Sequence, residues 1–124
     1  RVWDLVARAR KGFAVDGGDD MTCSASIMLG FIGDLSVTAN VAPRLMHEMC
    51  VAAATGDVAR AREIQFKLVG LHRDLFCEAN PIPVKWAVQQ LGLMPGGIRL
   101  PLTPLSEANQ GRVLAAMRLA GVIA

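Results

Sequence analysis

A chain of 124 residues with 52% hydrophobic and 19% charged side chains has the size and balance of one globular domain, which excludes a disordered tail. The net charge of +2 is spread over 13 scattered Lys and Arg against 11 Asp and Glu, which argues against a nucleic-acid partner, and no apolar stretch approaches the roughly 18–20 residues of a membrane-spanning helix. Cys23, Cys50 and Cys77 form an odd set without CxxC spacing, which argues against a disulfide framework and a zinc site and suits a reducing cytoplasm.

The sequence opens on Arg1 without a signal-like segment, so its start is expected to be a truncation or a cleavage point. Val2, Leu5, Val6 and Ala9 recur at helical spacing until Gly12 stops the run. Phe13 to Asp16 is a candidate buried strand closed by Gly17-Gly18, and Asp19 and Asp20 are candidate caps for a helix ending near Gly30. Gly33 to Val37 is a second candidate strand. Thr38 and Pro43 then start a helix with Val41, Leu45, Met46, Met49 and Cys50 on one side. This order predicts parallel βα units. Beyond Gly56 the strand signal fades. Asp57 caps a long helix carrying Val58, Ala61, Ile64, Leu68, Leu71 and Leu75, and Asn80-Pro81-Ile82-Pro83 breaks it. A shorter helix buries Val84, Ala87, Val88 and Leu91 and stops at Gly92. Pro101 and Pro104 predict an extended segment over Ile98 to Pro104, after which Ser106 can cap a last helix containing Val113, Leu114 and Met117. The loss of strand signal predicts two parts, 1–56 and 57–124.

Four motifs carry more than periodicity: Gly18-Asp19-Asp20; Ser36-Val37-Thr38-Ala39-Asn40-Val41; Glu78-Ala79-Asn80-Pro81-Ile82-Pro83-Val84-Lys85-Trp86-Ala87; and Arg99-Leu100-Pro101-Leu102-Thr103-Pro104-Leu105. In identity, order and spacing they resemble the C-terminal part of the dihydrodipicolinate synthase family, within the wider superfamily of that enzyme and N-acetylneuraminate lyase. The third and fourth are the most specific. The resemblance implies an α/β fold, with 1–56 as the last two strands and helices of a (β/α)8 barrel and 57–124 as a helical C-terminal domain. It also implies a cytoplasmic lyase of lysine biosynthesis that needs no cofactor and assembles as a homo-oligomer, a tetramer. Its reaction condenses pyruvate with aspartate semialdehyde through a lysine Schiff base.

In the family that lysine sits on the sixth barrel strand, which would precede Arg1. Lys11, Lys67 and Lys85 do not match it, and the sequence has no tyrosine for the family's proton relay, so the chain by itself is expected to be inactive. Two substrate-binding positions carry over. Leu35 matches an isoleucine whose backbone carbonyl lines the pyruvate pocket, and Gly18 matches a glycine in the loop at the pocket mouth. Asp34, Phe31 and Asp16 depart from the family's pattern, where Asp34 replaces an apolar strand residue and Phe31 a glycine. An unpaired buried carboxylate there costs on the order of several kcal/mol or takes up a proton, so this region is expected to be diverged or destabilised.

Plainer readings stand beside these. Gly17-Gly18-Asp19-Asp20 alone is a turn with a helix cap, His47 and Cys50 are packing residues before they are metal ligands, and His72 belongs on a polar helix face. Met46 and Met49 pack, Trp86 supplies buried area, and Lys85 a hydrogen bond or solvated charge. Another pyruvate-dependent aldolase, such as an acylneuraminate or sugar-acid lyase, and a non-catalytic helical interaction module remain open as functions.

Overall fold

A computed structural model describes all residues from Arg1 to Ala124. Its elements are α1 (Val2–Arg8), β1 (Asp16–Gly17), α2 (Cys23–Met28), β2 (Gly33–Asp34), a 3-10 turn (Thr38–Asn40), α3 (Pro43–Ala54), α4 (Val58–Asp74), α5 (Ile82–Gln90) and α6 (Glu107–Leu119).

The helices follow from the spacing of apolar residues. In α4, Ala61, Ile64, Leu68 and Leu71 are fully buried, as is Leu75 just past its end, and they pack between α3 and α6. Asp57 caps the helix as its side chain predicts, accepting from the Arg60 N–H at 3.0 Å, but Val58 is exposed at the first turn. Pro43 starts α3, whose buried positions are Met46, Met49, Ala52 and Ala53. Val113 and Met117 of α6 are fully buried, and α5 buries Ile82, Pro83, Val84 and Ala87. Gly92 ends α5 at φ +71°, a left-handed conformation that glycine adopts without strain. One cluster of 21 buried apolar residues runs from Cys23 to Ala120, so a single core joins both sides of Gly56.

Asp74 is the polar joint of the helical layer. It is 2% exposed, accepts from Arg73 at 2.8 and 2.9 Å on its own helix, and accepts from Arg112 Nη2 at 2.7 Å across on α6. The bonds from Arg73 and Arg112 hold its carboxyl below the usual range against the opposing effect of burial.

The strands are shorter than expected. β1 and β2 pair in parallel with Asp16 opposite Gly33 and Gly17 opposite Asp34, and bonds from Ile32 N to Val15 O and from Leu35 N to Gly17 O, both 3.0 Å, extend the ladder. The first strand is therefore displaced toward Gly17, and Phe13, its expected start, is exposed. β2 ends before Val37 because the backbone turns there onto a side-chain acceptor, Asp20.

That use of Asp20 corrects a second expectation. Neither Asp19 nor Asp20 caps α2 from the N-cap position, which Thr22 occupies without a side-chain cap bond. Asp19 accepts from the Thr22 hydroxyl at 2.6 Å, whereas Asp20 is buried beneath the end of β2. Residues 98–104 are likewise not simply extended, since Leu102 N bonds Arg99 O at 3.1 Å and closes a turn around Pro101. The peptide bonds before Pro81 and Pro101 are cis.

Candidate functional site

The polar residues of Ser36 to Asn40 build a turn. Ser36 Oγ accepts from Ala39 N at 2.8 Å, and Asn40 Nδ2 donates to Val37 O at 3.0 Å. From below, Asp20 Oδ2 accepts from the N–H groups of Val37 and Thr38 at 3.1 and 2.9 Å. The Thr38 hydroxyl meets His72 Nδ1 at 2.9 Å, which ties the turn to α4. His72 is thus buried at 3% exposure, not on a polar face. Burial lowers its pKa and keeps the ring neutral, and Nε2 has no partner. Periodicity could not show this, because the partner hydroxyl lies 34 residues away.

This frame fixes Leu35 as the last residue of the ladder. Its N–H is bonded to the Gly17 carbonyl, the residue is 79% exposed, and its own carbonyl accepts no bond from the turn that follows. Leu35, Ser36, Val37 and Asn40 form one wall of an open cleft of about 540 Å³. The opposite wall comes from Asn80, Pro81, Val84, Lys85 and Val88, at the start and along one side of α5, with Met94 beyond it. Leu35 and the Asn80-Pro81 turn, 45 positions apart, therefore share one cavity. Lys85 is half-buried and is the only lysine in its lining.

Gly18 lies elsewhere, exposed in the loop after β1 and outside this lining, and a Cβ added there meets nothing within 4 Å. The crowded glycine is its neighbour: a Cβ at Gly17 would collide with the Asp34 carboxylate across the ladder. Sequence reading missed Gly17 because the crowding comes from the paired strand.

The three departures separate. Asp34 has both carboxyl oxygens shut off from solvent without a hydrogen-bond partner, and burial together with the nearby Asp20 carboxylate raises its pKa to about 6. Asp20 Oδ1 also lacks a partner, and a protonated Asp34 carries the donor that this oxygen wants. Asp16, by contrast, is exposed and lies over Gly33, so it costs no desolvation. Phe31 is half-buried against the main core. His47 is exposed, while Cys50 turns inward toward Cys23.

A parallel strand pair with a helix packed against it, whose second strand ends at the lip of a cleft, is an arrangement found in α/β proteins. The chain belongs to the dihydrodipicolinate synthetase family, whose model matches residues 1–120. It is 76% identical over 124 residues to a 4-hydroxy-tetrahydrodipicolinate synthase of Dechloromonas aromatica, covering 100% of this chain and 42% of that protein. A synthase of the same name from Azoarcus is 66% identical over 122 residues, covering 98% of this chain and 42% of that protein. The crystal structure of a chloride-inhibited dihydrodipicolinate synthase from Acinetobacter baumannii, complexed with pyruvate, superimposes with a TM-score of 0.94 at 45% identity, over 99% of this chain and 42% of that one. The chain thus spans about two-fifths of the length of these relatives and corresponds to their C-terminal part. No helix is long and apolar enough to cross a membrane.

Proposed function

We propose that this chain supplies one wall and the helical support of a Schiff-base lyase that joins pyruvate to aspartate semialdehyde in lysine biosynthesis. In this reading β1 and β2 are the last two strands of a (β/α)8 barrel, residues 57–124 are the appended helical domain, and the enzyme is a cytoplasmic homotetramer. The observation that carries it is the place of Leu35: it is the last residue of the strand pair, its carbonyl takes no bond from the turn that follows, and it lines the cleft beside the Asn80-Pro81 turn. Gly18, exposed in the loop after β1 and outside the lining of that cleft, is in this reading a second substrate-binding position, at the mouth of the pocket that the complete barrel encloses. The pyruvate bound in the Acinetobacter baumannii relative supports the choice of keto acid.

Covalent capture needs an amine of suitable reactivity. Lys67 is committed to Glu63 on the surface of α4, at 2.9 Å, and Lys11 is exposed on the loop after α1, so neither is placed beside the cleft. Lys85 lines it but belongs to the helical wall. The decisive experiment is borohydride reduction with pyruvate, read by intact mass. The 124-residue chain gains no adduct, whereas a longer protein that includes the preceding barrel strands gains one on a lysine outside these residues. A reducible adduct on Lys11, Lys67 or Lys85 would overturn the proposal. Turnover of the longer protein with aspartate semialdehyde, but not with sugar-derived aldehydes, separates it from related aldolases.

A further inference from the structure

Cys23 opens α2 and Cys50 lies within α3, 27 positions later, yet helix packing brings their Sγ atoms to 3.7 Å. Both are free thiols. Cys23 has no exposed surface, while Cys50 keeps some. The wall and scaffold described above use neither. With the sulfurs in contact, the S–H of one donates to the other. The shared S–H···S bond, in which either sulfur can donate, and burial push the Cys23 thiol up, while the same bond draws Cys50 down. The carboxyl groups of Asp20 and Asp34 oppose ionisation of both, so the negative charge that does form settles on the better-solvated sulfur, Cys50. A reactive outer sulfur backed by a buried one is the asymmetry that a dithiol needs for stepwise oxidation.

We propose that Cys23 and Cys50 are a redox modification site, closed to a disulfide by hydrogen peroxide. The Cys50 thiolate attacks one peroxide oxygen, the O–O bond breaks, and a sulfenic acid forms while the other oxygen leaves as water. The Cys23 sulfur then attacks Cys50 Sγ, displaces the hydroxyl as a second water and forms the S–S bond. Two thiols lose two electrons and two protons, and one peroxide becomes two waters.

Closure shortens the sulfur separation from 3.7 Å to about 2.05 Å, which draws the first turn of α2 toward α3. That turn is continuous with Asp20, whose carbonyl accepts from Cys23 N at 3.4 Å and whose carboxylate holds Val37 and Thr38. The modification therefore bears on the same strap that positions Leu35. Cys77 has no sulfur neighbour and is the internal control.

The test is hydrogen peroxide on the native protein, followed by an acid quench, unfolding, alkylation with iodoacetamide and non-reducing peptide mass analysis. Two of the three thiols are lost, one peptide links Cys23 to Cys50, Cys77 alone is alkylated, and dithiothreitol restores all three. In Cys23→Ser, Cys50 stops as a sulfenic acid that dimedone traps. Three alkylated cysteines after treatment, a link through Cys77, or oxidation of Cys50 to an acid without linkage in the unsubstituted protein overturns the proposal. The unsubstituted protein decides the matter even where a variant fails to fold.

Discussion

Asp34 is the most costly side chain of the strand pair, because its two oxygens are shut off from water and no donor meets them. Its folded pKa of about 6 lies above the ordinary 3.8, so between these values the native state holds a proton that the unfolded chain has released. Stability therefore falls as pH rises through that window, and the penalty is complete above about pH 6. Because the residue is only half-buried, the shift is discounted for screening to about 1–2 kcal/mol. Asp34→Val is expected to change stability more favourably by that amount at about pH 7.5 than near pH 3.5, where the carboxyl is protonated in the folded state, read from urea midpoints at the two pH values. An equal effect at both would show that the carboxyl's charge is not the cause. His72 has the opposite sign. Burial depresses its pKa, so the unfolded chain binds the proton first and stability falls as pH drops below about 6.5.

The adjacent glycines give a sharper pair of substitutions. Gly17→Ala places a methyl group against the Asp34 carboxylate and is expected to cost about 1–3 kcal/mol, measured by thermal or urea unfolding. Gly18→Ala meets open space, so the fold is expected to tolerate it. A rise in the KM for pyruvate in a longer, active protein carrying Gly18→Ala would then report on the pocket mouth directly. Unchanged kinetics would remove Gly18 from the site.

Among the elements, the α4–α6 contact depends on a polar bridge as well as on the close approach of Gly70 to Ala116. Arg112→Ala leaves the buried Asp74 with Arg73 alone, whose side chain is 67% exposed and lies on the same helix. The expected loss is about 1–2 kcal/mol, with faster hydrogen exchange across α6 than across α3. Uniform acceleration of both helices would show that Asp74 supports the core as a whole. The helices of this layer were legible because each buries one stripe: Ile64, Leu68 and Leu71 mark α4, and Val113 and Met117 mark α6. The strands were located but not bounded, since a parallel ladder is set by the partner strand and ended by a side chain, Asp20, from another segment. The same limit hid His72, Gly17 and the Cys23–Cys50 contact, each defined by a residue far off in sequence. For the cleft, the Asn80-Pro81 turn was legible as a motif, but its place opposite Leu35 is a product of packing.

At the scale of the whole molecule, burial is uneven. Of the first 37 residues only Asp20, Cys23, Ser26 and Ile27 are buried, and α1 has no buried residue at all. Trp3, Phe13, Ile32 and Leu35 are each more than half exposed, although their apolar character is that of an interior. Both strands also have ladder partners on one side only. An isolated chain with these surfaces is expected to bind the dye ANS and to self-associate in size-exclusion chromatography. The double change Phe13→Ser and Ile32→Ser should reduce both effects without altering the helical circular dichroism, because neither residue belongs to the buried cluster. In a longer protein where further barrel strands cover this face, the same double change should instead destabilise by about 2–4 kcal/mol, since apolar area that was buried would then be lost. The two opposite signs separate an uncovered interior from an ordinary surface. A monomeric isolated chain that binds no ANS and unfolds cooperatively would favour a self-sufficient helical module over a barrel segment.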